Sequence, residues 1–412
     1  MRRIPDNLSP QQAWERLAAS ARMPVESRPI TESLNHVLAE DVAVPEDVPP
    51  GDRSFMDGFA VRSVDVQRIP AQLAVVEEVL MGKAAMRALG PSQAMAIPTG
   101  GFLPEGADAV VMQEETETPA KGTVVINKAV KPSENVQSRS EDFRKNDVLF
   151  QGGHRFRPQD ISTLATLGFR TVAVYRRPRV HIVSTGNELV PFSSPDKTRE
   201  QIRESNSLAI EAACSLFGFS AQSGGIIPDD FKSQRAAVES AMRTSDVILI
   251  SGGSSVGERD YTMDVIESFG PHHVFFHGLA IRPGNPTIFA SAGSVLIFGV
   301  PGQPVSSLIV FYLFVLPFLF HVSGEHIEYP GFLFEKFPSA RARLVRDIQP
   351  LKARTDYVRL KLERENDGWR ATPVLGKSAS LSTLSRADGF TIVPPGDTPL
   401  PKGSVVDVIL FP

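Results

Sequence analysis

Between Arg179 and Phe320 short apolar runs alternate with helical patterns, and three of those runs end in glycine-rich turns. This alternation limits the fold more than any other feature. Strand-like runs at residues 180–183, 220–227, 246–250 and 295–300 are separated by helical patterns at 206–217 and 232–243. The last run leads into an apolar helical stretch at 305–320. Buried strands linked by helices predict a mostly parallel sheet covered on both faces. Ligands of such sheets bind beyond the carboxyl ends of the strands.

Those ends read Ser184-Thr185-Gly186-Asn187-Glu188, Ser251-Gly252-Gly253-Ser254-Ser255-Val256-Gly257 and Gly299-Val300-Pro301-Gly302-Gln303-Pro304. Glycine lets the backbone approach a ligand and aim N–H groups at it, while serine and threonine add hydroxyl donors. The third loop runs directly into a helix, whose N-terminus favours an anion. One such loop is ordinary turn chemistry. Three at one sheet edge predict a site for an anionic, phosphorylated small ligand. No Walker or dinucleotide-binding fingerprint accompanies them.

Glu188 and Asp260 sit beside these loops, and carboxylates next to a phosphate cradle suit Mg²⁺. The competing structural roles are a first-turn helix acid for Glu188 and an N-cap for Asp260. Arg282, in Arg282-Pro283-Gly284-Asn285-Pro286, offers a fork suited to an oxyanion, against the alternative of a plain hairpin with a solvated arginine.

The flanking regions differ in texture. Residues 8–30 read as a helix with Ala13, Leu17 and Ala21 on one face, and 31–38 as a second helical element capped by Thr31. From 42 to 147 short strands (73–79, 107–113, 123–126) are punctuated by Gly and Pro, which predicts a β-rich insert. A helix at 158–168 and a strand at 171–175 follow. After Gly324 the pattern returns to strands at 355–362, 369–373, 389–393 and 405–410, a small barrel or sandwich.

Composition narrows the function classes. A formal net charge of -4 argues against nucleic acid as the principal partner, since phosphate backbones reward a basic excess. The single cysteine, Cys214, excludes an intramolecular disulfide and sits in an apolar helical pattern that predicts a buried thiol. Phe is frequent (25) beside Trp (2) and Tyr (5), so the aromatics read as core rather than stacking platforms. The apolar run 308–320 contains Pro317 and is expected to be too short to span a bilayer. Residues 1–12 carry no secretory pattern. The expectation is a soluble cytoplasmic protein with neither membrane nor nucleic-acid partner.

Taken together the motifs resemble those of the MoeA-type molybdopterin molybdotransferases, the family related to the E domain of gephyrin. The resemblance rests on Met56-Asp57-Gly58-Phe59-Ala60-Val61-Arg62, Pro98-Thr99-Gly100, residues 107–115, Glu141-Asp142 and Ser184 through Leu189. It continues through Ser205-Asn206, residues 252–261, residues 299–306 and Ala387-Asp388-Gly389, in order along nearly the whole chain. It implies a multidomain α/β plus β fold with four parts. These are a molybdopterin-binding α/β domain (1–26 and 176–328), a linker domain (27–45 and 144–175), a β-rich insert (46–143) and a C-terminal β-barrel (329–412).

It also implies insertion of molybdenum from molybdate into adenylylated molybdopterin with release of AMP, assisted by Mg²⁺, in a homodimer that hands its product to molybdoenzymes. By matching position, Asp57, Asp142, Glu188 and Asp260 are the implied catalytic acids, with Glu188 and Asp260 the metal ligands. The implied substrate-binding residues are Thr99, Ser184, Thr185, Gly186, Ser205, Asn206, Ser251, Gly252, Gly253, Ser255, Gly257, Arg282, Asn285, Pro301, Gly302 and Ser380. Arg354 joins the implied oxyanion site more loosely.

The chain departs from the pattern where anions are implied to bind. Arg282 and Asn285 stand for two lysines, Gln303 for asparagine, Asn187 for aspartate, and Ser378-Ala379-Ser380 for a Gln-x-Ser segment. Arginine and lysine are not interchangeable, and Asn285 removes a charge. Two functions therefore stay open: the metal-inserting transferase, and a non-catalytic or altered-specificity molybdopterin-binding scaffold.

Overall fold

A computed structural model describes residues 6–252, 261–366, 368–377 and 379–412. The chain divides into two compact units. One comprises Met1–Ala39, Arg155–Arg157 and Val172–Pro412, the other Glu40–His154 and Pro158–Thr171.

The first unit contains the expected α/β sheet. Its order is Ser220–Ile227, Arg179–Thr185, Val247–Ser251, Val295–Val300, Ile288–Ala292, His272–His277. The first four strands are mutually parallel, and Ile288–Ala292 runs antiparallel to both neighbours. The sequence reading missed the strands Ile288–Ala292 and His272–His277. His272-His273 and Ser291 interrupt a clean apolar run, so neither carries the buried-strand signature of the central four. The parallel strands place residues 184–186, 251–252 and 300–302 at one edge.

The helical stretch after Pro304 is longer than the apolar run suggests. Pro304–Val322 is a continuous helix of 19 residues, long and apolar enough to cross a membrane by length and composition, yet 89% of an 18-residue stretch of it is buried inside the protein. Its middle turn, Phe311–Val315, is a π-helix just before Pro317. Proline cannot donate to the carbonyl four residues back, and the wider turn absorbs that break in the ladder. The helix packs on the sheet through Phe318, whose ring lies 5.1 Å from Phe289 and 5.3 Å from Phe298. On its other side Tyr312 meets Phe411 at 6.1 Å. Cys214 lies in the same core, and burial pushes its thiol up to about 12.

Phe411 closes the C-terminal domain. Strands Thr355–Glu365, Gly368–Pro373, Ser339–Leu344, Val405–Leu410 and Gly389–Val393 hydrogen-bond in that order, and Thr355–Glu365 pairs again with Gly389–Val393. The ring is a closed five-stranded barrel. A short strand from the α/β domain, Ile281–Arg282, joins it in parallel at Thr355-Asp356.

The N-terminal helix is Pro10–Ala18, with Ser9 and Gln12 forming a reciprocal capping box. It is shorter than expected, because Val25–Pro29 is a strand paired with Thr171–Tyr175. The helix expected at 31–38 is a single 3₁₀ turn, Ile30–Glu32. Asn35 adopts a left-handed conformation (φ 64) that ends any helical continuation.

The second unit holds a six-stranded sheet in the order Ala109–Met112, Gly58–Val61, Gln93–Ile97, Ala71–Glu78, Thr123–Ile126, Thr116–Ala120. Buried residues line both of its faces, Val61, Leu73 and Val124 on one and Ala60, Met95 and Val110 on the other. The helix expected at 158–168 is present as Pro158–Thr166.

One ion cluster secures the start of the central sheet. Asp246 accepts from both terminal nitrogens of Arg176 (2.7 and 2.8 Å) and from the Arg179 amide (2.8 Å) and Nε (3.1 Å). Burial opposes its ionisation, but the hydrogen bonds from Arg176 and Arg179 outweigh that and hold the carboxyl well below the usual carboxylate range. A depressed folded value stabilises the fold above the unfolded aspartate value, near ~3.9, and that contribution fades as pH falls below it. Urea unfolding of Asp246→Asn should show a loss of about 2 kcal/mol at pH 7 that shrinks on acidification below about pH 4.

Candidate active site

The three strand ends open into a cleft of ≈ 1360 Å³ between the α/β sheet and the barrel. Its sheet wall includes Ser184, Thr185, Glu188, Ser205, Asn206, Ser251, Gly252, Pro301 and Gly302. Its barrel wall includes Arg346, Arg354, Asp356, Arg359 and Lys377.

Asn206 ties the sheet wall together. Its side-chain amide donates to Ser251 Oγ (2.9 Å) and to the Gly302 carbonyl (2.9 Å), bridging the second and third strand ends. The first strand end is held by Glu204, a residue the sequence reading did not single out. Its carboxylate is buried and accepts from Ser184 Oγ (3.1 Å), the Ser207 amide (2.9 Å) and Ser207 Oγ (2.6 Å). These bonds also cap the helix Asn206–Leu216, so two helix N-termini, this one and that of Pro304–Val322, border the cleft. Helix N-termini carry unpaired N–H groups and partial positive charge, which suits phosphate.

Glycine is required where the loops touch. Gly252 has φ +110, and a Cβ there would lie 2.5 Å from the Thr185 carbonyl oxygen. At Gly302 a Cβ would come within 3.2 Å of Gly252 Cα. Among the described residues, buried Thr185 Oγ1 has no hydrogen-bond partner. The cradle here consists of backbone packed on backbone.

Glu188 lines the cleft, and both of its carboxylate oxygens come within 3.0 Å of where a Gly186 side chain would begin. No helix follows it, so the first-turn role does not apply. Asp229 lines the same cleft and was not anticipated. Gly253, Ser255, Gly257 and Asp260 lie outside the described residues.

Arg282 lines the cleft with an exposed side chain, and its guanidinium also takes Asp356 in a two-point pair, Nε to Oδ1 at 3.0 Å and Nη2 to Oδ2. Those hydrogen bonds raise its pKa further. Asn285 donates from Nδ2 to the Leu279 carbonyl (2.6 Å), closing the turn on itself. Ser380 does not line the cleft; its neighbours Ala379 and Leu381 do, while its carbonyl accepts from Thr383 and starts the helix Ser382–Arg386.

Asp57, Thr99 and Asp142 belong to the second unit. Within it Asp57 and Thr99, far apart in sequence, are brought together: Asp57 Oδ1 accepts the Thr99 amide at 2.7 Å. Asp142 accepts from Gln137 Nε2 at 3.3 Å. All three are exposed.

Comparisons with known proteins agree with this architecture. Residues 8–168 match the MoeA N-terminal region (domain I and II), 181–321 a probable molybdopterin binding domain, and 341–411 the MoeA C-terminal region (domain IV). A molybdopterin molybdenumtransferase of Bacillus subtilis is 35% identical over 393 residues, covering 93% of this chain and 89% of that protein. One from Staphylococcus aureus is 32% identical over 94% of this chain and 91% of its own length. The crystal structure of a molybdopterin biosynthesis moeA protein from Pyrococcus horikoshii superposes with a TM-score of 0.83 at 33% identity, covering 98% of this chain and 99% of that one.

Two substitutions probe the cradle. Gly252→Ala combines a left-handed φ with a backbone clash and should cost about 2–4 kcal/mol in chemical denaturation. Asn206→Ala removes two bridging donors and should cost about 1–2 kcal/mol.

Proposed function

This chain belongs to the MoeA family, and on that premise we propose that it inserts molybdenum from molybdate into adenylylated molybdopterin and releases AMP. One observation supports the reading most directly. A glycine cradle with two helix N-termini faces the same cleft as a cationic barrel wall. Such a cleft holds phosphate groups on one side and a second oxyanion on the other.

The AMP-releasing step is a hydrolysis, in which water adds across the phosphoanhydride of the adenylate as that bond breaks. Charge builds on the bridging oxygen as AMP leaves, and fixed donors aimed at that charge lower the barrier. The N–H groups of the cradle hold the phosphates in place, while Ser251, Thr185 and Asn206 orient them. In this reading Gly186, Ser184 and Ser205 support the same cradle, and Arg354, Asn285 and Ser380 belong to the molybdate end.

Magnesium fits the donor set without a preformed cage. Among the described residues no group of three or more His, Cys, Asp or Glu side chains converges. Magnesium is commonly held by one or two carboxylates plus substrate phosphates, and Glu188 with Asp229 provide two on this cleft. When bound it would neutralise phosphate charge.

Homodimerisation, a cytoplasmic location and delivery of the product to molybdoenzymes belong to the same reading, as does the four-domain division of the chain. Asp57, Thr99 and Asp142 would then serve the site of a second copy. The scaffold alternative draws on Asn285, whose amide is committed to Leu279 rather than to a ligand.

Purified protein given adenylylated molybdopterin, Mg²⁺ and molybdate should release AMP in a molybdate-dependent manner. Absence of such release at every molybdate concentration would leave the scaffold reading. Co-expressed Asp57→Asn and Glu188→Gln chains, each inactive alone, should recover about a quarter of wild-type activity, as random pairing into two-fold dimers with composite sites requires. No recovery would remove the second-copy role of Asp57.

A further inference from the structure

The helix Phe231–Met242 buries a single stripe, made of Gln234, Val238 and Ala241. Their helical spacing puts all three on the face turned to the sheet. Val238 and Ala241 pack there with Val183, Ile248 and Ile250. Gln234 holds the first position on the stripe, where an apolar side chain would serve packing, and is 2% exposed.

Burying an amide is costly unless its polar atoms are bonded. Gln234 Nε2 donates to Asp229 Oδ1 at 3.4 Å, and Oε1 is buried with no hydrogen-bond partner among the described residues. The amide therefore spends its donor on a carboxylate that lines the cleft. Gln234 does not line the cleft itself, so whatever it does there passes through Asp229.

The backbone of Asp229 is held separately. Its amide donates to Asn187 Oδ1 at 3.1 Å, and the Gly186 amide donates to the Ile227 carbonyl at 3.2 Å. These two bonds join the strand end that carries Glu188 to the loop that carries Asp229. Asn187, where the family pattern has aspartate, accepts its bond without adding a third carboxylate.

A carboxylate that rotates freely gives up that freedom when it takes a cation. One whose Oδ1 is already fixed by a donor presents Oδ2 in a set direction, and outer-shell donors of this kind tune metal affinity. We propose that Gln234 is a positioning residue for Asp229: from its buried place on the helix it orients the carboxylate that, with Glu188, receives the divalent cation of this cleft. The inference rests on the magnesium part of the transferase reading.

The test is titration of manganese(II), a paramagnetic stand-in for Mg²⁺, into full-length protein saturated with AMP, read by loss of the free-ion electron paramagnetic resonance signal. Gln234→Leu keeps bulk on the stripe and removes the donor. It should weaken manganese binding by about tenfold, the effect typical of a lost outer-shell bond. Its melting temperature in cation-free buffer should equal or exceed that of wild type, because an apolar chain replaces an amide with an orphan acceptor. A double-mutant cycle with Asp229→Asn separates positioning from general loosening: once the carboxylate is gone, Gln234→Leu should have no further effect.

A weakening of less than about twofold, the scatter of independent sites, overturns the proposal. So does an equal weakening in the Asp229→Asn background, which would make Gln234 a structural residue. Wild-type protein that binds no manganese in the presence of AMP overturns it as well. If Gln234→Leu does not fold, Gln234→Met, nearly isosteric and also without a donor, is judged by the same criteria.

Molybdate-dependent AMP release keeps this role distinct from the reading it builds on. Where release occurs, Gln234→Leu should raise the Mg²⁺ concentration for half-maximal rate and leave the rate at saturating Mg²⁺ near that of wild type. Release by wild type with manganese binding untouched by Gln234→Leu removes the role of Gln234 alone. Manganese binding weakened by Gln234→Leu, in a chain that releases no AMP, removes the transferase reading and leaves Gln234 its role.

Discussion

Burial of the helix Pro304–Val322 is the constraint on which the rest of the first unit depends. Its Phe318 packs against Phe289 and Phe298 of the sheet, and Tyr312 and Phe314 reach Phe411 and Tyr329 on the barrel side. Each large apolar side chain taken fully out of water contributes about 1.5–3 kcal/mol, and this helix contributes a long series of them to one core. The Tyr329 and Tyr357 hydroxyls meet at 3.2 Å within the same contact. The sheet and the barrel therefore share a core, and the cleft between them is set by packing rather than by a loose linker.

The same helix orients the chemistry. Its N-terminus is placed where Pro301-Gly302 leaves the sheet, so burying the body of the helix aims its unpaired N–H groups into the cleft. Glycine at 252 and 302 lets that loop lie directly on its neighbour, and Asn206 fastens the contact with two hydrogen bonds. Packing energy from the interior thus holds a polar cradle that could not organise itself in water.

Charge is distributed unevenly across this cleft. On the sheet wall Glu204 spends its carboxylate on Ser184 and Ser207, inside the protein. On the barrel wall Asp356 is spent on Arg282, and Arg359 donates from Nη2 to the Gly376 carbonyl.

Much of the fold was legible from periodicity. The four parallel strands, the helix Asn206–Leu216 and most barrel strands fall where apolar runs between glycines and prolines place them, because backbone geometry and burial act locally. The glycine-rich strand ends were legible for the same reason, and the order of motifs along the chain was enough to indicate the family. Which charges pair was not legible. Arg282 and Asp356 are separated by 74 residues, and nothing local distinguishes a free guanidinium from a neutralised one. Arg359 sits in an ordinary alternating strand and becomes exceptional only because barrel closure buries it beside a cleft. Sequence by itself determined most of the elements and the glycine-rich strand ends, since both follow from short-range sterics and solvation. Only the tertiary structure decided which polar groups pair with one another, because electrostatic pairing depends on distances that the chain sets by folding.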